Sequence, residues 1–134
     1  MAPASRATLV GMHAKDAHAK EALGRYSERI AARCLRDAGF ELLATNWRCP
    51  RGEIDIVAAD GRTLVICEVK TRSSVAYGDP SEAVGWVKAA RLRSLGVQWM
   101  TDHHGSWEAI RFDVVSVLRR RAGPAQVRHL RGAF

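Results

Sequence analysis

The chain has 134 residues, 47% of them hydrophobic and 26% charged, which suits one domain around one core. Two independent cores are excluded on size, because below about 70–80 residues a single core rarely holds without disulfides or a metal. The formal net charge of +7 and pI near 10.0 point to a polyanionic partner, nucleic acid or an anionic surface. No apolar run approaches the roughly 18 residues of a membrane span, and Thr8–Met12 is too short for the core of an export signal, so a cytoplasmic protein with no membrane association is expected.

Residues 1–23 read as a flexible or loosely docked segment, with helix formers from Ala14 to Leu23, and residues 24–134 as a single domain. From Tyr26 to Ala38, the residues Ile30, Ala31, Cys34, Leu35 and Ala38 share one arc at 100° per residue. Arg29, Arg33, Arg36 and Asp37 lie mainly opposite, and Gly39 supplies the stop. Phe40–Trp47 suits a strand, and Cys49-Pro50-Arg51-Gly52 a loop. Glu53–Ala58 and Thr63–Lys70 are two apolar runs joined through Asp60-Gly61, a strong hairpin signal. Asp79-Pro80-Ser81-Glu82 has the form of a helix start, and Gly85 interrupts it. Lys88 to about Thr101 then reads as an amphipathic helix with the stripe Leu92, Leu95 and Trp99, and Lys88 one turn earlier on the same line. Ile110–Val117 is a further strand, and from Arg119 the sequence turns basic and rich in Pro and Gly, as a solvated tail would be. The order helix, strand, hairpin, helix, strand predicts an α/β domain, a mixed central sheet flanked by helices in an α-β-β-β-α-β core. No internal repeat is present.

Charge is unevenly distributed. Residues 1–85 carry 12 Lys/Arg against 11 Asp/Glu, and residues 86–134 carry 9 against 3. A protein that concentrates carboxylates at one point and grips phosphates around it has this pattern.

The carboxylates of interest lie in the hairpin. Successive side chains of a strand alternate between faces, so Leu64, Ile66, Glu68 and Lys70 share one face while Val65, Cys67 and Val69 share the other. Both faces are apolar before Glu68, as in a strand buried on both sides, and a carboxylate there is anomalous. Asp55 is a second acid inside an apolar strand, and a tight hairpin turns it toward Glu68. An Asp, a Glu and a Lys at a strand end suit phosphodiester hydrolysis: Asp55, Glu68 and the Val69 carbonyl form a ligand set for Mg²⁺ or Mn²⁺. Lys70 orients water or offsets charge in the transition state, and Arg72 reaches a neighbouring phosphate. Glu28, at the edge of the first helix's apolar arc, adds a third acid inclined toward the sheet. The plainer alternatives are an exposed Glu68–Lys70 ion pair, Asp55 opposing Arg48 or Arg51, and Glu28 serving the helix dipole.

These segments together resemble the YraN family of uncharacterised bacterial proteins, whose members look like restriction-endonuclease-fold, Holliday-junction-resolvase-like nucleases. The resemblance runs through Gly24 with Glu28, Asn46-Trp47-Arg48, Gly52-Glu53-Ile54-Asp55-Ile56, Glu68-Val69-Lys70-Thr71-Arg72, Tyr77-Gly78-Asp79-Pro80, Glu82-Ala83-Val84, the Lys88–Arg93 helix, Arg111-Phe112-Asp113-Val114-Val115 and Ala133-Phe134. It implies a restriction-endonuclease-like fold, with Asp55, Glu68 and Lys70 in PD-(D/E)xK roles, Glu28 as the helix-borne acid, and Mg²⁺ or Mn²⁺ as cofactor. Ile54 replaces the motif's Pro. The last residues match as well, which implies that Val127–Phe134 is ordered against the domain.

The functional expectation is a metal-dependent endonuclease acting on DNA, on branched or structured substrates, with Arg48, Arg72, Lys88 and Arg91 contacting the nucleic acid. Symmetric cutting of a junction would require a homodimer. The rival readings are a non-catalytic nucleic-acid-binding module and a subunit that delivers a nuclease or helicase partner. Three cysteines with no C-x-x-C spacing argue against a disulfide framework and a zinc knuckle, and the scattered histidines read as surface residues. Trp47, Trp86, Trp99 and Trp107 are candidates for base stacking, with Trp99 on a core stripe.

Overall fold

The computed structural model describes residues 14–72 and 85–134. Its elements run α1 (Ala14–Asp37), β1 (Glu41–Cys49), β2 (Gly52–Asp60), β3 (Thr63–Arg72), α2 (Trp86–Asp102), β4 (Ala109–Leu118) and β5 (Gln126–Leu130). The expected mixed α/β architecture is present, with one strand more than the sequence indicated. The helix start expected at Asp79 and the segment 1–13 lie outside the described residues.

The helix formers from Ala14 onward and the periodic stretch from Tyr26 belong to one helix of 24 residues. It ends as Gly39 predicts: with φ of +92°, Gly39 donates its N–H to the Arg36 carbonyl, and Phe40 donates to the Leu35 carbonyl, the paired bonds of a Schellman stop. Ala38 falls in this turn and is exposed, so the buried line of α1 is Ser27, Ala31, Ala32 and Leu35. Small side chains there let the helix axis lie close to the sheet.

The sheet has the order β1-β2-β3-β4-β5. The pairs β1–β2, β2–β3 and β4–β5 are antiparallel, while β3–β4 is parallel and is bridged by α2, as a parallel connection requires. Asp60 pairs with Thr63 across the hairpin, closed by Gly61 at φ +59°. One sheet face packs Val57, Leu64, Ile66, Phe112 and Val114 under Leu92, Leu95 and Trp99 of α2. The other packs Ile56, Ala58, Val65, Cys67, Val115 and Val117 under Ala31, Ala32 and Leu35 of α1. The central strand β3 is therefore buried on both faces, and anything polar at its end sits beside both helices.

β5 corrects the reading of a solvated tail after Arg119. It pairs with β4 from Val114↔Leu130 to Leu118↔Gln126, Ala133 donates to the Phe112 carbonyl, and the Phe134 ring lies 5.5 Å from that of Phe112. The order implied for the last residues by the family resemblance is thus present, and the strand itself is the addition.

Candidate functional site

The site forms where β2 and β3 part. Their ladder runs from Asp60↔Thr63 to Ile56↔Cys67 and goes no further. Beyond it, the Asp55 carboxylate takes the place of a strand partner, its Oδ2 accepting the Val69 N–H at 2.8 Å. The same point changes the faces of β2: Ile56 packs with the α1 cluster, whereas Ile54, two residues earlier, packs with the α2 cluster beside Trp47. Strict alternation would put Ile54 and Ile56 on one face. The backbone instead turns Ile54 over at Asp55, while Asp55 itself keeps the face of Val57, which is the face of Ile66 and Glu68, close enough for the two carboxyls to act on each other's ionisation.

Glu68 is buried, only 7% exposed, so it is not half of an exposed ion pair with Lys70. It points to the α2 face, where Lys88 Nζ stands 2.6 Å from its Oε2. Lys70 lies within hydrogen-bond reach of Lys88 in turn. Asp55, Glu68, Lys70 and Lys88 therefore form one cluster, and Lys88, expected from the sequence as a nucleic-acid contact, is bound into its centre. Its place on the line of Leu92 and Leu95 carries it there.

Two carboxyls this close do not both ionise readily. Burial, and then the hydrogen bond and charge of Glu68, push the Asp55 pKa up to about 8, against the opposing bond from Val69. Burial works against Glu68 too, but hydrogen bonds from Asp55 and Lys88, with the charges of Lys88 and Lys70, outweigh it and hold its pKa below the usual range. In this arrangement Glu68 is the anion and Asp55 keeps the proton. Burial and then the neighbouring Lys88 lower the pKa of Lys70. Burial also opposes the charge of Lys88, yet its bond to Glu68 raises its pKa.

The remaining expected residues spread around this cluster. Glu28 is half-buried and accepts from Asn46 Nδ2 at 3.0 Å; its charge reaches Asp55. Beside it, Ser27 is fully buried and accepts a 2.7 Å hydrogen bond from Thr71 Oγ1, fastening α1 to the end of β3. Arg48 pairs with Glu53 across the β1–β2 hairpin, and Arg51 donates to Ser94 Oγ, so neither opposes Asp55. Arg72 closes β3, its carbonyl accepting the Arg119 N–H at 2.8 Å, and Arg91 is an exposed residue of α2 lying over Gly52. Among the tryptophans, Trp47, Trp99 and Trp107 pack against the α2-side core, while Trp86 is 82% exposed.

For a metal the cluster offers Asp55 and Glu68, with the Val69 backbone alongside. Mg²⁺ takes one or two carboxylates and keeps several waters, so this pair suffices in kind. A divalent cation would replace two charges already in place, the Asp55 proton and the Lys88 ammonium. Among the described residues no group of three or more His, Cys, Asp or Glu converges as a cation site, so Glu28 stands beside the pair and not within it.

Sequence reasoning missed a second polar cluster. Asp113 is fully buried and receives Arg111 through Nε at 2.8 Å and Nη2 at 2.9 Å, His129 Nε2 at 2.7 Å, and the Gly132 N–H at 3.0 Å. Burial opposes its ionisation, but these bonds prevail and bring its pKa to about 2. Arg111 also holds Asp60 at 3.0 Å. His129 is thus a half-buried partner of Asp113 and not a surface histidine. An Asp between Phe112 and Val114 in an apolar strand was the available signal. All three partners of Asp113, Arg111, His129 and Gly132, serve to hold β4, β5 and the segment after β5 together.

The comparisons agree with the sequence resemblance. The model of the family described as "Uncharacterised protein family UPF0102" matches residues 27–117, the span from the buried Ser27 to the end of β4. Among the relatives, a UPF0102 protein of Beutenbergia cavernae is 56% identical over 85% of this chain and 97% of its own length. One of Acidothermus cellulolyticus is 50% identical over 88% of this chain and 97% of its own, and one of an Arthrobacter species is 54% identical over 85% and 97%. The chain therefore belongs to the uncharacterised protein family UPF0102, the YraN family.

Proposed function

We propose that the protein is a metal-dependent endonuclease that hydrolyses phosphodiester bonds in DNA, with Asp55, Glu68 and Lys70 as its reacting centre. One observation carries this reading: two carboxyls on one face, close enough to set each other's ionisation, with two lysines against them, at the end of a strand otherwise buried on both faces. An acid pair that cannot ionise fully in the absence of added positive charge is costly to a fold and useful to chemistry. Mg²⁺ or Mn²⁺ held by Asp55, Glu68 and the Val69 carbonyl would polarise the phosphoryl oxygen and acidify water. Lys70, partly desolvated, is placed to orient the attacking water and to offset charge that builds on the phosphate. Lys88, released from Glu68, becomes the nearest cation for a phosphate oxygen, and Glu28 fixes Asn46 at the edge of the site. The positive charge of Arg72 and Arg91 favours the substrate without choosing its sequence.

A second reading has a specific observation in its favour. The Lys88–Glu68 ion pair and the Asp55 proton already neutralise the acids, as a retired active site in a nucleic-acid-binding module would. The deciding test is cleavage of labelled single-stranded, duplex, flap and four-way-junction DNA with Mn²⁺ or EDTA, by the protein and by Lys70→Ala. Metal-dependent cutting that the variant loses supports the nuclease. Salt-sensitive binding without cutting, equal in both proteins, leaves the binding module.

A further inference from the structure

We propose that the groove between α1 and β1 is a track for the backbone of a single nucleic-acid strand, gripped by Arg25, Arg29, Arg33 and Arg36 and delivered to the acid pair past Asn46. This rests on the nucleic-acid reading above, but on different residues. The groove has a volume of about 540 Å³, the size of a small-ligand pocket. The four arginines line its helical wall, and Thr45 and Asn46 its strand wall.

The spacing of the arginines is the first argument. At 100° per residue they fall within an arc of about 80°, and at 1.5 Å per residue they extend over about 17 Å of helix. Arg25, Arg29 and Arg33 thus stand in steps of about 6 Å along one line, a ladder suited to successive phosphates of an extended strand. The second argument is charge. Among the described residues Glu28 is the only carboxylate in the groove's lining, and it is engaged by Asn46. Arg25 and Arg33 have helix neighbours, Glu21 at 4.0 Å and Asp37 at 3.9 Å, but such exposed pairs are weak and yield to phosphate. Arg29 and Arg36 have no acidic partner among the described residues.

The third argument is continuity with the acid pair. Among the described residues β1 is an edge strand, with no strand beyond it to close the groove. Asn46 is the one non-glycine described residue with positive φ, +52°, a conformation that Asn tolerates better than most. It turns the side chain across the groove to Glu28, whose charge is felt at Asp55. The Asn46 end of the groove is therefore the end nearer the acid pair, and a strand lying against α1 runs toward it. One line of arginines facing one edge strand matches a single backbone, which assigns the track to unpaired or frayed DNA.

The test is anisotropy of a labelled 20-nucleotide single strand, and of the blunt duplex containing it, in EDTA over a salt series. Arg29→Ala/Arg36→Ala is compared with Arg121→Ala/Arg128→Ala, which removes the same charge elsewhere; all four residues are exposed, and circular dichroism verifies folding. The groove variant should lose about 10–100-fold in single-strand affinity, and its log–log salt slope should fall by about 1.4, two contacts at about 0.7 each. The control should lose much less, and the duplex should be affected equally by both variants. Equal loss in the two variants, or an equal loss for duplex in the groove variant, overturns the track. Cleavage abolished by Asp55→Asn while the groove variant binds normally keeps the nuclease and rejects the track; groove-dependent binding without cleavage by the wild type does the reverse. No binding by the wild type rejects both.

Discussion

Replacing Asp55 by Asn should make the protein more stable, and the gain should depend on pH. In the unfolded chain Asp55 releases its proton near pH 3.9; in the fold it keeps it to about pH 8. Between those values the folded state binds more protons, so stability falls as pH rises through the window. Three pH units at 1.36 kcal/mol each set a ceiling of about 4 kcal/mol at pH 7. The depressed pKa of Glu68 and the shared proton return much of this, leaving about 1–2 kcal/mol, or about 3–10 °C in Tm for a chain of this length. Asn has no proton to lose, its side-chain oxygen still accepts the Val69 N–H, and its amide still donates to Glu68. Thermal melts of both proteins in EDTA from pH 4.5 to 8.5 should diverge steadily, with little difference at the acid end. A gap that stays constant with pH, or a variant less stable at pH 8, would refute the account of the acid pair.

Further predictions concern the supporting structure. Gly96→Ala places a Cβ 3.0 Å from Ile66 and Ile110 side-chain atoms; overpacking of about 1–3 kcal/mol should outweigh a helix-propensity gain of about 1. Gly24→Ala, with no atom within 4 Å, should stabilise by about 0.5–1 kcal/mol, and paired thermal melts check both. Asp113→Ala should cost about 3–5 kcal/mol in urea unfolding, because it takes the acceptor from Arg111, His129 and the Gly132 N–H at once and leaves Arg111 with Asp60 alone. Since folding depresses the Asp113 pKa to about 2, its contribution is present above pH 4 and lost as pH falls toward 2, so the wild-type urea midpoint should drop there more steeply than that of Asp113→Asn. Asn46→Ala should cost about 1 kcal/mol through its left-handed backbone and lost Glu28 bond, and Asn46→Gly should recover most of this.

The parts of the fold that could be read from sequence are those whose cause is local. Gly39, the Asp60-Gly61 turn and the Leu92–Leu95–Trp99 stripe each act within one or two turns of chain, and each does in the structure what its type dictates. Asp55 and Glu68 were legible as candidates because charge inside Ile- and Val-rich strands demands a reason. Their common face was legible too, since Asp55 follows Val57 and Glu68 follows Ile66 by alternation; what a period of two does not contain is the turn of Ile54 to that same side. Lys88 lay on the right line of its helix, but only the parallel crossover from β3 to β4 brings that line over Glu68. β5 was illegible because Gln126–Leu130 is a half-buried edge strand with polar residues at alternate places, which reads as loop. Arg29, Arg33 and Arg36 read from sequence only as the face opposite the core; the placement of β1 beside them turns that face into a wall.

The Asp113 cluster has a consequence for the order in which the chain assembles. The ligands of this buried carboxylate come from β4 itself, from β5 and from Gly132 after it, so the charge is only half compensated while the chain beyond Leu118 is still unfolded. A collapsed intermediate made of α1, the β1–β3 meander, α2 and β4 would have to leave Asp113 hydrated or protonated. The sheet's last strand is then less an ornament at its edge than the step that lets its centre close. Weakening β5, as in His129→Ala, should leave early helix formation untouched and slow the final phase of refolding at neutral pH, with less effect near pH 3.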